Sequence, residues 1–412
     1  MDDFGGSDDG SDDGGGTGSD DGGGDGGGYS TGEETDDENY EDDEDDLTPG
    51  VRSAAAECAA AICKLPGVEG LSVLLPKLVE QIKSEYSTEV RKGLYKAVEE
   101  VCAQSDPQIV AELVLTVVSK EFEGKSQTRV EAIEALRALA AAHPGCFSQS
   151  LAVLGPGLFK ALKSTKDEVR VSALMLLGDL AGTTEPGALQ ECLGPLCAAV
   201  AAGIGSGGRT GIEGCKQVQK LAAVTQPAES AVLFDTAAAA VQPSSVAELR
   251  QAAIGALAAL VAQGVATKGL GDKLSDFMSS LAGCLDDEAT RLAGIQATIV
   301  VCQPSLGLTD GATINKHGIS GKLVSFITES NKNVAEVSMS ALGMISMSYP
   351  GSLDDAAIVD VVSTVISESE PDLQLSSGAV SLCASLLAAN GDLMAKIKPQ
   401  LWPTLLKLSS SP

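Results

Sequence analysis

Residues 167–181, DEVRVSALMLLGDLA, set two acids and a Val-Arg pair ahead of an apolar run at helical spacing. The same arrangement returns along the chain. With the arginine of Val-Arg as a frame, copies fall at Arg52, Arg91, Arg129, Arg170, Arg209, Arg250 and Arg291, and degenerate ones at Ser338 and Ser376. The intervals are 39, 38, 41, 39, 41, 41, 47 and 38 residues. Three residues after the frame stands a small or apolar residue in every copy: Ala55, Leu94, Ala132, Ala173, Ile212, Ala253, Gly294, Ala341 and Ala379. Nine coincidences in series predict a repeat architecture.

Upstream of most copies lies a second apolar segment, and several carry an early proline: Pro76 in LLPKLVEQI, Pro156 in LGPGLFKAL and Pro195 in LGPLCAAV. Each precedes the next frame arginine by 14 or 15 residues. A proline there removes an amide donor, so a bend or restart is expected in the first helix of each pair. Each unit reads as helix A, a short turn, then helix B. Over 71–104, helix A is LSVLLPKLVEQIKS, the turn EYST and helix B EVRKGLYKAVEEVCAQ.

Acids open several B helices, at Glu89, Asp167-Glu168 and Asp286-Asp287-Glu288. Unpaired amides and the helix dipole favour negative charge there. One turn later, each frame arginine is placed to reach a carboxylate at the start of a neighbouring helix B. Stacked units would make this a ladder of Arg52, Arg91, Arg129, Arg170, Arg209, Arg250 and Arg291. Reversing the charge of Arg170 is then expected to lower thermal stability more than reversing that of Lys163.

Neither helix of a pair can hide its apolar stripe alone, so the core must run from unit to unit. The expected fold is all-α, a HEAT/armadillo-like right-handed α-solenoid of about eight helical pairs over residues 48–412. An acidic tail, 1–47, precedes it. Runs such as GSDDGSDDGGGTGSDDGGGDGGG offer almost nothing to bury and repel themselves, so the tail is expected to be disordered. Its densest part is EETDDENYEDDEDD: Glu33, Glu34, Asp36, Asp37, Glu38, Glu41, Asp42, Asp43, Glu44, Asp45 and Asp46. It is read either as a solvated spacer or as an anion that draws in a basic partner. Order is expected from Thr48-Pro49, a cap-like pair. The first element, 51–65, is a B helix with no A helix before it, and LMAKIKPQLWPTLLKL (393–408) is A-type with no B helix after it. Solenoids normally close on polar units. The chain is therefore expected to be a segment of a longer solenoid, or to have partners over both ends.

Composition narrows the function. Hydrophobic residues make up 44% but aromatics only 3%, so the core must be Ala, Leu, Val and Ile, which suits helix-on-helix packing. Of the formal charge of −29, residues 1–50 carry −20, leaving −9 for the rest. Such a body repels nucleic acid and anionic membrane alike. Ten cysteines occur without a C-x-x-C pair, mostly beside Ala or Leu, which suits reduced core residues of a cytoplasmic or nuclear protein. The N-terminus carries no basic-plus-apolar signal, and no uninterrupted apolar stretch reaches about 18 residues. His143 and His317 stand without further ligands at metal spacing. GIGSGGRTG (203–211) fits an inter-helix loop better than a phosphate cradle, and no G-x-S-x-G appears. No catalytic, cofactor-binding or metal-ligating residue is expected, nor a small-molecule substrate.

Several segments resemble one HEAT family, the cullin-associated, neddylation-dissociated proteins. They are the acidic stretch leading into VRSAAAECAAAI, VLGPGLFKAL followed by VRVSALMLLGDL, and DDEATRLAGIQATIVV. The most specific is VSMSALGMISMSYPGSLDDAAIVDVVSTVISESEPDLQLSSGAVSLCASLLA (337–388). The similarities cover nearly all of 35–408, in order. The resemblance implies a non-enzymatic clamp around an unmodified cullin with its RING subunit. Such a clamp promotes exchange of substrate-receptor modules on SCF-type ubiquitin ligases. That family's solenoid is about three times longer, and this chain matches only its central arch. The Gly-rich first half of the tail departs from the family, where acids dominate.

B helices usually line the concave face of such solenoids. Lys96, Glu99, Glu100, Glu131, Glu134, Arg137 and Asp179 recur at corresponding B-helix places and are the candidate protein-binding residues. A solvated helix face is the competing reading of each. The alternative function is a phosphatase scaffold or an importin-like transport receptor built on the same repeat.

Overall fold

The structure, a computed structural model, describes residues 48–65, 71–103, 127–148, 150–185, 187–264, 273–303, 311–368 and 373–395, with isolated positions between 105 and 121 and at 397, 399 and 402. The acidic segment Glu33–Asp46 lies outside the described residues. Among those described there are 17 α-helices, one short 3-10 turn and no strand.

Nine helices are B-type: α1 (Thr48–Cys63), α3 (Thr88–Cys102), α4 (Arg129–Ala142), α6 (Asp167–Thr183), α8 (Gly208–Leu221), α10 (Ala247–Gly264), α12 (Glu288–Val301), α15 (Lys332–Ser348) and α17 (Leu373–Ala389). The A helices between them are α2 (Leu71–Ser84), α5 (Leu151–Leu162), α7 (Gln190–Gly205), α9 (Pro227–Ala240), α11 (Leu274–Asp286), the short pair α13 (Gly311–Lys316) and α14 (Ile319–Phe326), and α16 (Asp355–Glu368). Between α3 and α4 the described positions from 107 to 117 are helical, filling the remaining A place. Every B helix packs on the next, from α1 on α3 to α15 on α17, while α5, α7 and α9 stack likewise in the A row. The buried side chains form one cluster from Ala56 to Ile397. This is a HEAT-type α-solenoid in which each unit hides its neighbour's apolar face.

The frame-plus-three position explains how the B row closes. Leu94, Ala132, Ala173, Ala253, Ala341 and Ala379 are buried there, as is Gly294. Ala55 is exposed instead, because α1 meets α3 through Ala56: a Cβ on Gly93 would come 3.0 Å from that of Ala56. The prolines do not restart their helices. Pro76, Pro156 and Pro195 are each the sixth residue of α2, α5 and α7, and each lies inside a single exposed-edged helix. There the ring points to solvent and only one backbone bond is forgone.

Two local features depart from expectation. GIGSGGRTG is mostly helical, closing α7 and opening α8, with only Ser206 and Gly207 between them. The sharp reversal uses φ of 72° at Gly207 and 55° at Gly208, a region open to glycine without a Cβ clash. The 47-residue interval is the unit whose A element is broken: α13 stops, His317 and Gly318 turn with φ 69° at the glycine, and α14 resumes. In that unit Ser338 lies seven residues into α15 and is fully buried, whereas Arg291 is the fourth residue of α12. Ser338 is therefore no surface counterpart of the frame arginines. Among the described residues no helix is long and apolar enough to cross a membrane.

Candidate protein-interaction face

Two sets of charges cross the junctions between units. The first is made by the frame arginines, each at the start of its B helix. Arg52 Nη1 lies 2.8 Å from Glu85 Oε2, Arg250 Nη1 lies 2.6 Å from Asp287 Oδ2, and Arg91 pairs with buried Glu121. Arg291 Nη1 donates to both oxygens of Glu329 at 2.9 and 3.0 Å. In every case the carboxylate belongs to the next unit, in or near the turn that precedes its helix B. Glu121 also accepts from Tyr95 Oη at 3.2 Å and Thr128 Oγ1 at 3.3 Å, so a buried anion has three donors. Burial pushes the Tyr95 phenol well above its ordinary range.

The other three arginines differ. Arg170 turns back to Asp167 of its own helix and donates to Ser164 O at 3.1 Å and Thr210 Oγ1 at 3.4 Å. Arg129 keeps a buried Nε without a hydrogen-bond partner. Arg209 is exposed, and its side chain makes no ion pair among the described residues.

The second set runs over the middle and last turns of the B helices. Lys64 Nζ, just beyond α1, is 3.0 Å from Glu100 Oε1 of α3. On α4, Arg137 Nη1 is 2.6 Å from Glu134 Oε2, while its Nε is 2.9 Å from Asp179 Oδ2 of α6. Asp179 Oδ1 is in turn 2.8 Å from Lys220 Nζ of α8. Arg137 and Asp179 are only 22% and 23% exposed, so water screens this bridge less than it would a free surface pair. Glu99 sits half-buried between these groups. Burial, with the charges of Glu134 and Glu100, pushes its carboxyl up to about 7 against the pull of Lys96 and Lys64. Of the candidates read from sequence, Glu134, Arg137 and Asp179 are joined in one network, and Glu100 pairs separately with Lys64. Lys96 is exposed, and Glu131 is half-buried with an Oε2 that finds no donor. Lys64 and Lys220 were missed by the repeat frame. They close helix ends rather than share a frame offset, and only their charge marks them.

Among the described residues no group of three His, Cys, Asp or Glu could hold a metal ion. All ten cysteines are free thiols. Burial pushes Cys102, Cys215 and Cys302 up to about 12, the reverse of what a nucleophile requires. His143 caps α4, and its Nε2 lies 2.8 Å from Cys102 O of the preceding unit, a structural contact. His317 occupies the turn between α13 and α14.

No protein-family profile matches the chain. Among solved structures it is similar to importin beta, with a TM-score of 0.70 and 13% identity over 88% of this chain and 50% of that one. It is similar to the karyopherin Kap121p bound to the SUMO protease Ulp1p, with a TM-score of 0.66 and 15% identity over 89% of this chain and 42% of that one. An engineered protein gives a TM-score of 0.52 and 17% identity, over 89% and 93% of the two chains. The chain spans half the length of the importin beta structure and less than half that of Kap121p. At these identities the likeness is one of fold, a HEAT-repeat solenoid.

Proposed function

We propose that the chain is a non-catalytic protein-binding scaffold whose B-helix face receives a cullin with its RING subunit, in support of receptor exchange on SCF-type ubiquitin ligases. The supporting observation is the charged row from Lys64 to Lys220, in which successive B helices hold alternating charges in fixed geometry. Preset, mutually oriented charges favour register and on-rate in recognising a protein surface. The choice of partner rests on the segments that resemble the cullin-associated family, above all 337–388. A second reading, a transport receptor, is favoured by the fold likeness to importin beta and to Kap121p, which has been solved bound to RanGTP.

The test is surface plasmon resonance with the immobilised chain, using a purified unmodified cullin–RING complex and Ran loaded with GTP as analytes. The cullin reading expects saturable binding of the first. It also expects at least a tenfold loss in the variant Lys96→Glu, at an exposed position, with unchanged melting temperature. Binding of Ran alone would transfer the chain to the transport class. Binding of neither, with the solenoid folded, would reject both.

A further inference from the structure

Four of the frame arginines show what such a guanidinium takes, and Arg209 lacks it while standing exposed. In four units the occupant is a carboxylate that stands ahead of the next unit's helix B: Glu85, Glu121, Asp287 and Glu329. Glu85 and Glu329 stand three residues before their B helices, and Asp287 immediately before its own. At the junction of α8 with α10 the corresponding residues are Ser244 and Val246. Neither carries charge. Arg209 is accordingly exposed, with no ion pair among the described residues.

Space is open at the same junction. A cleft of about 310 Å³ lies between the α7–α8 turn and the start of α10, lined by Ile204, Gly207, Ala240, Val246 and Leu249 among others. Val246 is 57% exposed at its edge. The glycines at 207 and 208 present no side chain, and a Cβ on either would meet nothing within 4 Å. An apolar slot therefore opens at Gly207 and Gly208, next in the chain to a cation four of whose six sister residues hold an acid from the next unit.

We infer that Arg209 and this cleft form a docking site for an acidic segment of a protein partner, an Asp or Glu replacing the missing rung and an adjoining aliphatic side chain entering the slot. Charge complementarity names the occupant. The remaining body is acidic overall, so long-range forces repel such a segment. The site works at contact range, in physiological salt, where the Debye length is about 8 Å. It lies where the α7–α8 and α9–α10 turns meet, apart from the Lys64–Lys220 row, and does not depend on the identity of the partner bound there.

The test is selection of a random dodecapeptide phage library on the full chain at 0.15 M salt, a setting chosen to screen the acidic body, followed by fluorescence anisotropy of the enriched peptides. Expected are peptides with Asp or Glu beside Leu, Ile or Val, binding at least tenfold more weakly to Arg209→Ala. Arg209→Lys should retain part of the affinity. Ser244→Glu is the decisive variant, because it supplies the rung from within. It should abolish peptide binding while raising the melting temperature. Enriched peptides without an acid, or equal binding to wild type, Arg209→Ala and Ser244→Glu, would overturn the inference, as would a selection that enriches nothing.

Discussion

The best-formed rung, Arg291 with Glu329, allows the ladder to be weighed. Arg291 Nη1 reaches both carboxylate oxygens at 2.9 and 3.0 Å, its Nε donates to Leu285 O at 3.2 Å, and its guanidinium lies 4.7 Å from the Phe326 ring centre. The two side chains are 19% and 32% exposed. An exposed ion pair contributes about 0–1 kcal/mol, and charge-assisted hydrogen bonds are roughly twice as strong as neutral ones, so this half-buried pair should couple by about 1–2 kcal/mol. The carbonyl bond adds about 1 kcal/mol and the ring contact about 0.5–1 kcal/mol. Arg291→Ala should thus destabilise by about 2–4 kcal/mol, Glu329→Ala by about 1–2 kcal/mol, and the double variant by less than the sum. Repeat arrays can lose two-state behaviour, so the cycle is best read by native-state hydrogen exchange of α12 and α15 amides beside urea denaturation. The swap Arg291→Glu/Glu329→Arg should recover part of the loss. A coupling below about 0.3 kcal/mol, within the scatter of independent sites, would refute the view that these pairs tie units together.

Arg170→Glu should cost less than Arg291→Glu, since the carboxylate partner of Arg170 is in its own helix and its reach to the next unit is the 3.4 Å bond to Thr210; equal losses in melting temperature would contradict that ordering. Leu177→Ala, at a fully buried position of α6, should destabilise by about 2–5 kcal/mol in urea melts. Glu99 gives a pH signature. Its carboxyl holds a proton to about 7 in the folded chain and to 4.5 unfolded, so the native state binds more protons between these values and stability falls as pH rises through that window. Glu99→Gln should flatten the slope in melts from pH 4.5 to 8; an unchanged profile would remove the half-buried like-charge cluster as its cause. Native-state maleimide labelling should reach exposed Cys58 first and spare Cys102, Cys215 and Cys302 until unfolding. Early modification of the buried thiols would show that the core opens locally.

The repeat was legible because helix B has fixed demands: a small residue where it meets its neighbour, and acids where its amides are bare. Helix A of 71–84 and the turn at Glu85–Ser87 are therefore recovered nearly to the residue. What the ladder arginines bind was less legible. The carboxylate stands three, eight or one residues before the next B helix at Glu85, Glu121 and Asp287, so no single offset finds it. Glu85 and Asp287 lie between helices and Glu121 at a helical position, yet each meets the arginine of the preceding unit, which no sequence offset foretells. Arg129, Arg170 and Arg209 looked identical to their sisters because the frame records a donor and is blind to whether an acceptor arrives. The charged row was half visible for the same reason: Glu134 and Asp179 share a face, whereas Lys64 and Lys220 join it from helix ends.

Since α1 to α17 form a file in which each B helix packs on the next, bending is a sum of small tilts, none requiring a buried side chain to leave its seat. A visitor holding two distant units would set the curvature of everything between them, as a hand on each end sets the arc of a spring. The four ladder-paired junctions, and the α4–α6 and α6–α8 junctions bridged through Asp179, resist such flexing more than the one at Arg209, so the bending should be uneven.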